Sequence, residues 1–343
     1  MKFGFEGIPS SPQNEEEREQ PESTSRRDFL KNIGKLAIGA AILGSPAKSL
    51  AYESREKPPV VARPTWDADW GEISKQYNLK IGEEFTATVN GVTSRKRASI
   101  LPYFNENFAS GRSKTLDSNH RFEDLQNVYR RVAIHHTDIG TSGASAYQQA
   151  KTVRDIELNG ALQFNDIGYH FLIASDGTIL EARPTGRVGS NAGQTKEAND
   201  LAKKYFPNSV SDIFNASGAD YMAKLQVYTQ IMHMDPDYGT MGIALCGNFD
   251  NGGQPSPQQQ QSLTKLLNWV KGEYDIPSRN MLYHKEIKSR VIEASGLTFV
   301  GTNGAQDTVC PGRTFPSIQN FTNKLNPDTP QARSKTILLD RFQ

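Results

Sequence analysis

Arg131-Val132-Ala133-Ile134-His135-His136-Thr137 is a short apolar run that leaves its hydrophobic stretch on two histidines. Such a run predicts a buried strand with the histidines at its exit. Downstream, Ala146, Ala150, Val153 and Ile156 recur at helical spacing, so residues 145–158 predict a helix. Residues 169–174 and 178–182 read as strands around Ser175-Asp176-Gly177, a hairpin. Gly242-Ile243-Ala244-Leu245-Cys246 reads as another buried strand. Ser256-Pro257-Gln258-Gln259 then combines a Ser cap, Pro at the first helical position and Gln three residues after the cap. Leu263, Leu266, Leu267 and Val270 supply that helix with an apolar face. Strands separated by helices within one unit predict a single α/β domain, with the strand order left open.

Outward from this centre the pattern weakens. Residues 85–89 and 92–94 flank Asn90-Gly91, a type I′ hairpin signal. Residues 105–120 are polar and read as loop. Residues 194–238 are mixed, with a helix expected near 220–232. Ile318, Phe321 and Leu325 suggest a last helix, and residues 326–343 read as a C-terminal tail. No internal repeat is visible.

The 343-residue chain is long enough to bury a sizeable core. Its formal net charge of +1 gives no sign of a nucleic-acid partner. Two cysteines are too few for a disulfide framework, and no apolar run is long enough to span a bilayer.

Residues 1–24 are polar and acidic. Ser25-Arg26-Arg27-Asp28-Phe29-Leu30-Lys31 follows, then a short apolar stretch over 33–43 diluted by glycines. An arginine pair ahead of such a stretch predicts a twin-arginine export signal rather than an anchor. Ser49-Leu50-Ala51 places small residues for cleavage after Ala51. Residues 1–51 are therefore expected to engage the twin-arginine translocase, and the mature chain to reach the periplasm or the exterior of a bacterium. Residues 52–62, charged and carrying Pro58-Pro59, read as a linker.

Three positions have metal-binding chemistry: His135 at the strand exit, His284 after the long helix, and Cys310 in Cys310-Pro311-Gly312. Imidazole nitrogen and thiolate sulfur suit zinc, and a catalytic zinc keeps three protein ligands. Spacing alone does not single these residues out, because six histidines allow several triads.

Ordered motifs resemble a known family. They are Ile134-His135-His136-Thr137, Val153-Arg154-Asp155-Ile156, Asp166-Ile167-Gly168-Tyr169-His170-Phe171-Leu172-Ile173, Glu181-Ala182-Arg183, Gly242-Ile243-Ala244-Leu245-Cys246-Gly247-Asn248-Phe249, Tyr283-His284-Lys285-Glu286 and Thr308-Val309-Cys310-Pro311-Gly312. In this order they are similar to the zinc amidases and peptidoglycan-recognition proteins. Arg63-Pro64-Thr65-Trp66 resembles the opening of the recognition-protein branch. The resemblance spans residues 63–325 and implies a central mixed β-sheet flanked by helices. It implies N-acetylmuramoyl-L-alanine amidase activity on peptidoglycan or muropeptides, with Zn2+ held by His135, His284 and Cys310. It also implies that Tyr169 and Thr308 assist catalysis. As a runner-up it implies a peptidoglycan-binding module without catalysis, and a zinc hydrolase of another stem-peptide bond is a third reading.

Departures from the family pattern fall around the groove. Gly189-Ser190-Asn191-Ala192 has Asn where the family often has His, and Asn191 is expected, with His136, to contact substrate. Residues 71–128, 194–238 and 287–305 read as insertions, the last of which must loop out if His284 and Cys310 are to meet. Cys246, within an apolar strand, is expected to pack as a small hydrophobe, its rival role being a disulfide with Cys310. His170 is expected in the core.

Overall fold

The computed structural model describes residues 56–78, 84–97, 114–116, 122–124, 128–160, 164–193, 195–206, 217–250, 252–296 and 308–337. The expected export signal and its cleavage point lie outside these residues.

Ten strands and nine α-helices are used below. In chain order they are β1 (Val60–Val61), α1 (Arg63–Trp66), α2 (Trp70–Ile73), β2 (Glu84–Val89), β3 (Val92–Arg97), β4 (Lys114–Leu116), β5 (Phe122–Asp124), β6 (Arg131–His136), α3 (Ala146–Asn159), β7 (Phe171–Ile173), β8 (Ile179–Glu181), α4 (Lys196–Tyr205), α5 (Gly218–Met234), β9 (Thr240–Leu245), α6 (Pro257–Glu273), β10 (Met281–Tyr283), α7 (His284–Ser295), α8 (Gln319–Thr322) and α9 (Pro330–Ser334).

Six strands form one sheet in the order β1-β8-β7-β9-β6-β10. The β7–β8 pair is antiparallel and the other four pairs are parallel, so the sheet is mixed. β6 and β9 lie inside it and are buried at every residue. Burial on both faces is why they read as unbroken apolar runs rather than alternating ones.

The pleat divides the core. Val132 and Ile134 of β6, with Met241, Ile243 and Leu245 of β9, pack against Leu263, Leu266, Leu267 and Val270 of α6. Ala244 of β9, Leu172 and Leu180 face the other way, onto Ala146, Ala150, Val153 and Leu158 of α3. Ala133 and Leu282 meet Ile287 and Val291 of α7. α3 and α6 start as their sequences dictate. Ser145 and Ser256 each close a capping box with the Gln three residues on, and Pro257 opens α6. Asn90 and Gly91 both have positive φ, 50° and 74°, as the type I′ turn between β2 and β3 requires.

Four differences from the sequence reading have simple causes. The linker contains β1, two residues that pair with β8. β10, three residues long, sits on the opposite edge beside β6. β4, three residues paired with β5, lies in the stretch expected as loop. All are too short for alternation to register. α7 fills the start of the expected 287–305 insertion with helix, while residues 297–307 lie outside the described ones.

Two segments clamp the sheet from its ends. Arg63 pairs with Asp67 and Asp166, each at 2.8 Å, and its Nη1 donates to Ala182 O at 2.6 Å. Trp66 Nε1 donates to Glu181 O at 2.9 Å, which docks the Arg-x-x-Trp segment on the end of β8. At the other end, residues 326–337 return to the domain. Arg131 Nη1 donates to Ile337 O at 2.6 Å, and Lys335 Nζ donates to the Tyr274 carbonyl at 2.6 Å.

Candidate metal centre

Three chain segments deliver the candidate ligands. His135 is the penultimate residue of β6, His284 is the first residue of α7 directly after β10, and Cys310 lies in a turn. β10 pairs with β6 through Tyr283 and Ile134, which brings His284 level with His135. Lys285 N–H donates to Cys310 O at 3.1 Å and fastens the turn to α7. Gly312 closes that turn at φ 119°, where an added Cβ would sit 2.5 Å from Phe249 O, so only glycine permits the approach.

The three side chains converge. A nitrogen of His135, a nitrogen of His284 and Cys310 Sγ all lie within 4.8 Å of one another. His135 Nδ1 is 3.6 Å from Cys310 Sγ, and the two imidazole rings are 4.5 Å apart between centroids. Tetrahedral zinc with bonds of about 2.05 Å to nitrogen and 2.3 Å to sulfur would separate such a pair by about 3.6 Å. The residues therefore fit zinc in both donor type and spacing.

Electrostatics favour the same assignment. His135 is 1% exposed, and burial, then the neighbouring His284, push its pKa well below the usual imidazole range. It is neutral at physiological pH, as a ligand must be. Burial pushes the Cys310 thiol up to about 12, opposed by the backbone N–H of His136 directed at its sulfur. A dication beside that sulfur would reverse the balance toward thiolate.

Tyr169 leans its ring on His135, 4.9 Å between centroids. Burial, then the nearby Glu157, hold its hydroxyl well above the usual phenol range, so it stays a donor. Thr308 Oγ1 accepts the Cys310 N–H at 3.3 Å, which leaves its own proton free to be donated. Asn191 is buried, and its Oδ1 lies 3.3 Å from His135 Nε2. Asp237, which no sequence signal picks out, accepts the N–H groups of Asn191 and Ala192 at 2.6 Å each.

His136 points away from this group. Its ring stacks toward Phe249, and its Nδ1 accepts the Phe249 N–H at 3.2 Å. With Asp138 and Asp250 it forms a second cluster of metal-ligand type. An Nδ1 that accepts a hydrogen bond leaves the ring proton on Nε2, so no lone pair remains there for a metal. His170 is fully buried in the core, where its Nδ1 accepts the Gly242 N–H at 3.0 Å. Cys246 and Cys310 are both unpaired thiols, so the disulfide alternative is not adopted.

The model of the N-acetylmuramoyl-L-alanine amidase family matches residues 125–313. Among solved structures, the chain is similar to the endolysin N-acetylmuramoyl-L-alanine amidase LysCS from Clostridium intestinale URNW. Identity there is 23%, over 58% of this chain and 86% of that one, with a TM-score of 0.33. It is also similar to Drosophila peptidoglycan recognition protein SD, at 16% identity over 76% of this chain and 91% of that one, TM-score 0.36. Drosophila PGRP-LB matches at 19% identity over 55% and 77% of the two chains, TM-score 0.33. No curated protein matches the chain.

Proposed function

The chain belongs to the N-acetylmuramoyl-L-alanine amidase family, and we propose that it is an exported zinc enzyme that hydrolyses the amide between N-acetylmuramic acid and L-alanine in peptidoglycan. The observation that carries this reading is the convergence of His135, His284 and Cys310 from three distant segments within 4.8 Å. Zinc held there would polarise the scissile carbonyl and supply a nucleophile at neutral pH.

The chain's own residues then have distinct tasks. His135, His284 and Cys310 would hold the metal, with Cys310 as its thiolate. Tyr169, kept protonated by burial, donates its hydroxyl proton toward the oxygen that gains charge as the amide carbon becomes tetrahedral. Thr308 donates to the same oxygen from the Cys310 side. One such donor is typically worth about 3 kcal/mol of transition-state stabilisation. Residues 1–51 carry the folded precursor to the twin-arginine translocase, and the mature enzyme works in the periplasm or outside the cell. Among the described residues no helix is long and apolar enough to cross a membrane.

Product analysis tests the reading. Zinc-loaded protein should release stem peptides with a free L-alanine amino group from soluble muropeptides, and chelator should abolish the release. Muropeptides bound but left intact would instead assign a recognition module. Cuts between other residues would assign a different hydrolase.

A further inference from the structure

Asn191 is buried, and both ends of its side-chain amide have partners. It is 8% exposed, and its oxygen, its amide nitrogen and its backbone N–H each have a hydrogen-bond partner. We propose that Asn191 is a positioning residue that selects which nitrogen of His135 faces the metal, and that Asp237 holds Asn191 in place. The proposal rests on the reading of His135 as a zinc ligand.

The amide orientation is determined by its partners. Asn191 Nδ2 donates to Gly168 O at 3.1 Å, so Oδ1 must be the atom turned to His135 Nε2. An amide oxygen only accepts, so His135 Nε2 carries the ring proton. Nδ1 then presents its lone pair on the side where Cys310 Sγ lies, 3.6 Å away. Orienting partners of this kind set both tautomer and ring direction of ligating histidines.

The backbone beneath is equally constrained. Asp237 Oδ1 receives two N–H groups, from Asn191 and Ala192. Arg131 Nη2 donates to the carbonyls on either side of Asp237, Pro236 O at 2.6 Å and Tyr238 O at 3.0 Å. Gly242 of β9 leaves the slot for the amide, since a Cβ there would lie 2.7 Å from Asn191 Cγ. Asp237 stands 46 residues after Asn191, at the end of the expected 194–238 insertion. That segment thus returns a carboxylate to the support of the metal centre.

The test uses the metal-free protein labelled with 15N-histidine, and zinc affinity by competition with a chromophoric chelator. Long-range proton–nitrogen correlations of the His135 ring should show the Nε2–H tautomer. Asn191→Leu, which keeps the volume and removes the acceptor, should lose that tautomer and bind zinc about 10- to 100-fold more weakly. Asn191→Asp, which keeps an oxygen facing His135, should retain the tautomer and most of the affinity. A wild-type ring protonated on Nδ1 would overturn the proposal even if no variant folded. So would a folded Asn191→Leu protein that binds zinc within about threefold of wild type. Wild-type protein that binds no zinc at all would instead overturn the reading of the metal centre, because the tautomer is read without metal.

Discussion

His135 and His136 are adjacent in sequence and part ways in the fold, because the pleat of β6 sends successive side chains to opposite faces. His135 meets Tyr169 and His284, and His136 meets Phe249. No spacing rule distinguishes the two histidines, whereas the ordered motifs around them did. Cys310 was legible for the same reason. Asp237 was not: it makes its contacts 46 residues from its partner and carries no local pattern. The proposed roles of Thr308 and Tyr169 come from the family resemblance, whereas the burial that keeps Tyr169 protonated is visible only in the fold. Tyr169→Phe keeps the ring against His135 and removes only the hydroxyl. It should bind zinc normally and lose about 100-fold in kcat, the worth of one oxyanion donor. Unchanged kcat with full zinc occupancy would remove Tyr169 from the chemistry.

At the scale of elements, length decided what could be read. α3 and α6 have 14 and 17 residues and begin with capping boxes, so spacing and caps located both. β1 and β10 have two and three residues, and only their ladder partners make them strands. α4 leaves a weak apolar pattern because its ten residues are mostly polar, with Ala198 and Ala202 as its buried contacts. α3 also carries a buried carboxyl. Glu157 accepts the Gly168 N–H at 2.7 Å, and burial pushes its pKa from 4.5 to about 7. The folded state holds this proton more tightly than the unfolded state. Stability is therefore unpenalised below about pH 4.5 and falls as pH rises toward 7. Glu157→Gln keeps an acceptor for Gly168 and removes the charge. Urea unfolding should show the variant equal to wild type at pH 4 and more stable by about 3 kcal/mol at pH 8. A pH-independent difference would mean that the carboxylate is ionised in the fold at no cost.

Across the whole molecule, the α/β class and the mixed sheet followed from the alternation of elements and from the family resemblance. Strand order did not, since residues as far apart as Val60 and Ile179 pair in it. The C-terminal stretch reads as a tail because it is short and polar, yet its backbone carbonyls accept hydrogen bonds from Arg131 and Arg279. Such contacts use main-chain atoms and leave no trace in residue type. The export reading is testable on the intact chain. Replacing Arg26 and Arg27 with Lys should leave uncleaved, folded precursor in the cytoplasm, detected by fractionation and blotting. Normal export of that variant would refute the twin-arginine route.

The proposed centre is a zinc held by two imidazoles and one thiolate. X-ray absorption at the zinc edge of the purified protein reads that ligand set directly. One sulfur at about 2.3 Å and two imidazole nitrogens at about 2.0–2.1 Å are expected. A zinc shell of nitrogen and oxygen alone, with no sulfur, would contradict it.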